Sequence, residues 1–245
     1  MTPLRVAVIS DIHANYHALE AVLAAIEAEA PDEIWSLGDV VGYGPRPNRC
    51  CRAVAARATV SLAGNHDLGV LGSEPLELFS PDAAAAARWS QGVLEPAPRA
   101  YLAGLQPLLR RKDVELYHGS PRDPVWDYLL TEDGAADALA LTTAPVVLIG
   151  HSHVPLALTI DDGSVAGGIA ADGADVDLAG GRWLLNPGLV GQPRDGDPRA
   201  AWLLLDLDAQ QASFRRVDYP IEATQREILE RGLPPLLAGR LALGQ

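Results

Sequence analysis

Apolar positions along the chain fall into two textures. Leu4 to Ser10 is a short, β-branched, nearly continuous apolar run, the pattern of a strand buried on both faces. In His17 to Ala30 the apolar residues recur at helical spacing (Leu19, Val22, Leu23, Ile26), glutamates take the other face and Pro31 ends the run. The alternation repeats as a strand over 33–37, a helix over 47–57 and a strand over 58–63, which predicts a parallel or mixed sheet covered by helices. An Ala-rich helical insertion follows over 81–105, entered through Ser80-Pro81 and interrupted by Pro96 and Pro98. From Pro107 the pattern changes to short apolar runs between turn residues, at 108–111, 114–118, 146–149, 156–160, 182–185, 201–207 and 212–217, which predicts a second sheet. Two mixed β-sheets packed face to face with helices outside make an α/β fold, a four-layer α/β/β/α sandwich. The tail over 221–245, with Pro234 and Pro235 in its middle, reads as two short helices that either cap the core or meet a second copy of the chain in a homo-oligomer. No repeat or linker interrupts residues 1–245, so a single domain is expected.

Length and composition narrow the partners. A chain of 245 residues with 48% hydrophobic residues builds a sizeable core. No N-terminal signal pattern and no run near the ~18 apolar residues of a bilayer span is present, so a cytoplasmic protein without a membrane partner is expected. The adjacent Cys50 and Cys51 are poorly placed to pair with each other and read as small helix residues of a reducing compartment. A formal charge of −13 disfavours long nucleic acid, which is bound through many Lys and Arg contacts. An acidic protein that binds phosphate locally needs bound cations or a few placed arginines.

Candidate chemistry stands at the carboxyl ends of the core strands, the edge where open α/β sheets bind ligands. The first strand runs into Asp11-Ile12-His13, the second into Gly38-Asp39 and the third into Gly64-Asn65-His66-Asp67. The later strands deliver His118-Gly119 and Gly150-His151-Ser152-His153. Five of the six histidines therefore lie at strand ends, and His17 alone falls on a helix, as a surface residue. In extended backbone, residues i and i+2 point the same way, so each member of D-x-H and H-x-H can reach a common point and two such pairs can grip one ion from opposite sides. Each motif alone is an ordinary turn or strand cap; together, at successive strand ends, they mark a metal centre.

The motifs SDIHAN (10–15), GDVVGYG (38–44), GNHD (64–67), HGSP (118–121), GHSH (150–153) and NPGLVGQPRDGDPRA (186–200) resemble those of the calcineurin-like metallophosphoesterases, most closely their small bacterial and archaeal phosphodiesterase or phosphatase branch. The resemblance covers residues 4–217. It implies that Asp11, His13 and His153 hold one metal, that Asn65, His118 and His151 hold a second, and that Asp39 bridges them. It implies further that His66 is not a ligand but a proton donor or oxyanion stabiliser over the substrate. Asp67 then either orients His66 or caps the following turn.

Two divalent cations about 3.5 to 4 Å apart can share a water, lower its pKa and aim the resulting hydroxide in line at phosphorus, which makes hydrolysis of a phosphodiester, phosphomonoester or nucleotide the expected reaction. The mixed imidazole, carboxylate and amide set suits Mn or Fe first, with Zn, Co or Ni compatible, rather than Ca. Arg194 offers a forked guanidinium to phosphate beside the Asn186-Pro187-Gly188 turn, or else pins its own loop to Asp195 or Asp197. Asn15, with Tyr43, Arg46 and Asn48, lies just past a metal-bearing strand within reach of substrate.

Three rivals remain at this level. In a Ser-His-Asp hydrolase, Ser152 would need the glycine of a nucleophile elbow where Val154 stands. A catalytically silent scaffold of the same fold, as in one subunit of the retromer sorting complex, lacks the histidine that His66 supplies here. A nuclease would call for a basic stripe or an added DNA-binding domain, and the chain has neither.

Overall fold

A computed structural model describes residues 4–111, 113–161 and 164–245. The first sheet collects β1 (Arg5–Ile9), β2 (Glu33–Ser36), β3 (Val60–Ser61), β9 (Asp175–Asp177), β11 (Ala200–Asp206) and β12 (Gln211–Val217) in the order β3-β2-β1-β11-β12-β9. The second collects β4 (Leu108–Arg110), β5 (Val114–Tyr117), β6 (Val146–Leu148), β7 (Pro155–Asp161), β8 (Ser164–Ile169) and β10 (Arg182–Pro187) in the order β4-β5-β6-β10-β7-β8. Both are mixed: β1, β2 and β3 run parallel while β11 joins β1 antiparallel, and β5, β6 and β10 run parallel while β7 joins β10 antiparallel.

Strand periodicity separates the layers. Along β1, Val6 and Val8 face the second sheet, where they meet Leu116, Leu148 and Leu185, while Ala7 and Ile9 face α1 (Tyr16–Glu29) and α2 (Pro47–Arg57). Leu203 and Leu205 of β11 enter the same inter-sheet core, and Trp202 and Leu204 point to the helices. On the far side Val147, Ile149, Leu158 and Leu184 pack on α6 (Glu132–Ala140). Helix, sheet, sheet and helix are thus the four layers expected.

The boundaries hold to within a few residues, with instructive exceptions. The insertion is two helices, α4 (Pro81–Val93) and α5 (Pro96–Ala103), each with Pro in its first turn where the missing N–H costs nothing. Helix α3 (Asn65–Leu71), α6, β8 and β9 were not foreseen: the GNHD run reads as a turn, and the Gly-rich SVAGGI has no continuous apolar run to announce a strand. The tail forms α7 (Ile221–Glu230), α8 (Pro235–Gly239) and a final 3₁₀ turn, and caps its own core, burying Ile228, Leu233, Leu237 and Leu241 against Tyr43, Ala83 and Ala86. His17, read as a surface residue, is half-buried because its Nε2 lies 3.2 Å from Glu227 on α7. Cys50 and Cys51 are free and buried on α2, where burial pushes both thiols up and leaves them unreactive. No helix of the described residues is long and apolar enough to cross a membrane.

Candidate metal centre

Strands β1, β2, β3, β5 and β6 bring their carboxyl ends to one edge of the sandwich, and the loops that leave them are unusually wound. Asp11, His13, Asp39, His151 and His153 all have φ between 48° and 60°, the left-handed region that residues with a Cβ avoid. That correction removes the extended-backbone argument for D-x-H and H-x-H. The tight turns still bring Asp11 and His13 to one point, but the 151/153 pair divides between two groups instead of gripping one ion. Asp11, His13 and His153 gather in one, Asp39, His118 and His151 in the other, with the ligand atoms of each within 4.8 Å of one another. Glycine permits the approach: Gly38 has φ +104°, and a Cβ on Gly64 would stand 2.0 Å from Asp39 Oδ1.

The tautomers are fixed from behind. Nδ1 faces a backbone carbonyl in His13 (Val41, 3.3 Å), His118 (Leu37, 2.9 Å) and His153 (Gln192, 3.1 Å). A carbonyl only accepts, so each Nδ1 carries the hydrogen and each Nε2 presents a lone pair in the neutral ring. The rings are neutral: burial lowers His118 and His153, and lowers His13 far below the usual imidazole range. Yet Nε2 of His13 and of His153 face each other at 3.0 Å, and Nε2 of His118 faces Asn65 Oδ1 at 3.2 Å. Acceptor against acceptor is repulsive unless a cation stands between them.

The carboxylates repeat the theme. Asp11 Oδ2 accepts from the His151 amide at 3.1 Å and Asp39 Oδ1 from the His66 amide at 2.8 Å, while Asp11 Oδ1, Asp39 Oδ2 and His151 Nε2 are buried without a hydrogen-bond partner. Asp39 Oδ2 lies 3.8 Å from His13 Nε2 and 3.5 Å from His118 Nε2, so one oxygen addresses both groups. Burial, together with Asp67 and Asp11 nearby, pushes Asp39 well above the usual carboxylate range. Buried acids and lone pairs without a counter-charge are costly, and divalent cations match the donor set. Asp11, His13 and His153 can hold one, Asn65, His118 and His151 a second, and Asp39 both.

His66 stands beside the groups rather than inside one alone. Its Nδ1 is buried without a partner, its ring packs 4.8 Å from that of His13 and 4.4 Å from that of Tyr43, and His13, Asp39 and His66 form a third overlapping set. Burial, then the nearby Arg194 guanidinium, hold it neutral. Arg194 turns inward: Nη2 donates to the Tyr43 hydroxyl at 3.1 Å, and its charge adds to the burial that depresses His13, His151 and His153. It does not pin its own loop, because Asp195 is taken by Arg216 and Asp197 by Arg199 and Arg216.

One expectation is corrected and one is narrowed. Asn15, read as a substrate contact, is the buried N-cap of α1: its Oδ1 accepts from the Ala18 amide and the Thr224 hydroxyl and its Nδ2 donates to Gly191 O, so both ends of its amide are engaged by the fold. Asp67, grouped with His66 but open between orienting it and capping, takes the capping role: its carboxylate accepts from the amides of Val40, Val41 and Gly64, while burial pushes it up to about 6 against their pull. The Asn186 turn likewise clamps the GHSH loop, donating to Gly150 O and Ser152 Oγ, and Ser152 is thereby held as a structural hydroxyl. Sequence reading missed the aromatic rim of Phe79, Trp126 and Tyr128 around the histidines, since these residues sit on irregular segments without a motif or period.

Comparison with known proteins agrees with this architecture. The solved structure of a metallophosphoesterase from Sphaerobacter thermophilus superposes with a TM-score of 0.91 at 42% identity over 100% of both chains. PH1004 from Pyrococcus horikoshii OT3 matches over 99% of each chain with a TM-score of 0.81 at 20% identity, a likeness of fold. Protein MJ0912 of Methanocaldococcus jannaschii is 35% identical over 250 residues, 100% of both chains. The model of the calcineurin-like phosphoesterase superfamily domain matches residues 4–210, nearly the whole chain, and the chain belongs to that family.

Proposed function

We propose that the chain hydrolyses a phosphate ester at a pair of divalent cations held by Asp11, His13 and His153 on one side, by Asn65, His118 and His151 on the other, and by Asp39 between them. One observation carries this reading: Nε2 of His13, His118 and His153, Oδ1 of Asp11 and Asn65, and Oδ2 of Asp39 converge as acceptors with no donor to satisfy them. Two bound cations would neutralise phosphate oxygens and lower the pKa of a shared water, with Mn or Fe the first choice of metal and Zn, Co or Ni suited to the same ligands.

The chain's own side chains supply the rest. Backbone amides hold one oxygen of Asp11 and of Asp39, leaving the other free to bind. The His66 imidazole, outside the ligand set and with Nδ1 uncommitted, donates a hydrogen bond to the leaving-group or phosphoryl oxygen. Arg194 brings a permanent positive charge to the substrate side of a chain of net charge −13. Small phosphate esters or nucleotides fit this site better than long nucleic acid. The test is metal analysis of the purified protein followed by hydrolysis of p-nitrophenyl phosphate and bis-p-nitrophenyl phosphate with and without chelator. A folded preparation that takes up no transition metal, or turnover indifferent to chelation, would sink the proposal.

A further inference from the structure

Four of the chain's aromatic side chains ring the metal-facing histidines, and one of them, Tyr128, remains largely exposed although its hydroxyl meets the Arg194 guanidinium. Tyr43 lies over His66 and Phe79 packs edge-on to it at 5.0 Å, both as buried or half-buried walls. Trp126 meets Phe79 at 5.0 Å and His151 edge-on at 6.3 Å. Tyr128 instead lays its ring on His151, with centroids 3.8 Å apart and planes 36° apart, and remains 48% exposed. One face of the ring therefore covers a metal-facing imidazole, and nearly half of the side chain is open to solvent.

The segment that carries it is braced. Ser120 Oγ, Arg122 Nε and Arg122 Nη2 all donate to the Asp127 carboxylate. Asp123 accepts from the amides of Val125 and Trp126, and Trp126 Nε1 donates to Glu74 at 2.9 Å. A loop tied at this density presents its aromatic residues in a fixed position, so a ligand that stacks there pays little ordering entropy. A flat ring beside a phosphate-binding centre offers π-stacking, which recognises any planar group and gives nothing comparable to a saturated chain.

We propose that the outer face of Tyr128, flanked by Trp126, is a stacking platform for the alcohol part of the substrate, so that the enzyme prefers phosphate esters bearing a planar ring, a nucleobase or an aryl group, over those of aliphatic alcohols. This rests on the phosphate-ester reading above and adds to it the substrate class and the residue that selects it. Tyr128 is a specificity residue here, and Trp126 sets the edge of the platform.

The test measures binding as well as turnover. Metal-loaded protein is titrated calorimetrically with adenosine 5′-monophosphate, phenyl phosphate and glycerol 3-phosphate, for the wild type, Tyr128→Leu and Tyr128→Phe. The Leu variant keeps an apolar cover on His151 and removes the flat face; it weakens one or both ring-bearing probes by about tenfold and glycerol 3-phosphate by less than about twofold, while the Phe variant, which loses only the hydroxyl beside Arg194, keeps the wild-type preference for ring-bearing probes. Loss for adenosine 5′-monophosphate alone identifies the nucleobase as the occupant, and loss for phenyl phosphate alone identifies an aryl group. An equal loss for all three probes in the Leu variant, with or without loss of metal, makes Tyr128 a support for His151 and overturns the platform; so does no loss at all, or a Phe variant that loses the preference for ring-bearing probes as the Leu variant does. Ring-selective binding without turnover of any ester would retire the hydrolytic reading alone, whereas turnover with binding indifferent to Tyr128 would retire the platform alone.

Discussion

Two groups of buried carboxylates in this chain are treated in opposite ways. Asp195, 7% exposed, is met by the Arg216 guanidinium, 6% exposed, and Asp197 shares Arg216 with Arg199. Glu227 is likewise engaged by Arg46 and His17. Asp11 and Asp39, buried more deeply still, have backbone amides on one oxygen, neutral imidazoles around the other and no guanidinium in contact. Asp195 and Glu227 are thus met by arginines, and the fully buried Asp67 by three backbone amides, whereas Asp11 and Asp39 at the strand ends each keep one oxygen without a hydrogen-bond partner.

Breaking the unpaired side has the largest effect. Asp39→Asn removes the charge that addresses both groups, and hydrolysis falls by about 10³-fold or more with loss of metal, read by elemental analysis and steady-state rates. Full activity in that variant would mean that Asp39 does not bridge. Next comes His66→Ala, in which metal content stays at the wild-type level and turnover drops by about 10²-fold or more; metal loss in step with activity would make His66 a ligand instead.

The paired side responds in stability rather than chemistry. Arg216→Met strands Asp195 and lowers the unfolding free energy by about 3 kcal/mol, measured by urea denaturation, with unchanged metal stoichiometry. Chelation of the wild type bears on the same contrast from the other direction, since metal at about 100 times its dissociation constant contributes about 2.7 kcal/mol, and its removal lowers Tm by about 5 to 10 °C. A chelator-insensitive Tm would show that the acceptor cluster is content without a cation.

The smallest effect is at the tail. The Arg46 hydrogen bonds, then His17, hold Glu227 below its ordinary 4.5, so its contribution is complete above that pH and is lost as pH falls through the depressed folded value. Glu227→Gln should cost about 1 kcal/mol at neutral pH, and the gap to wild type should close on acidification toward pH 4 and below. A gap that persists in acid would place the cause in packing.

Sequence reading located the strands and the donors at their ends because both signals are local: a β-branched run followed at once by Asp, His or Asn. It misjudged the backbone between them. Left-handed φ at Asp11, His13, Asp39, His151 and His153 leaves no trace in residue type, since glycine, its usual marker, is absent from those five positions. Asn15 was misread for the opposite reason, because a polar residue after a catalytic-looking strand has the same appearance whether it serves a ligand or a helix end. Arg194 was left with two roles until Arg199 and Arg216 were seen to occupy its rival partners, a fact carried by distant residues and by no local pattern. Tyr128 had no signal at all, for its role depends on which histidine lies beneath it.

The loop that bears His13 is secured through Asn15 by Gly191, 176 positions downstream, and by Thr224, 209 positions downstream, while the Asp11 carboxylate waits for the His151 amide, 140 positions on. Contacts of such separation close late in folding, after their loop entropy has been met. A nascent chain therefore leaves its acids and imidazoles apart until the distant partners arrive, and the cluster at the strand ends is complete only once the last strands and the tail have docked.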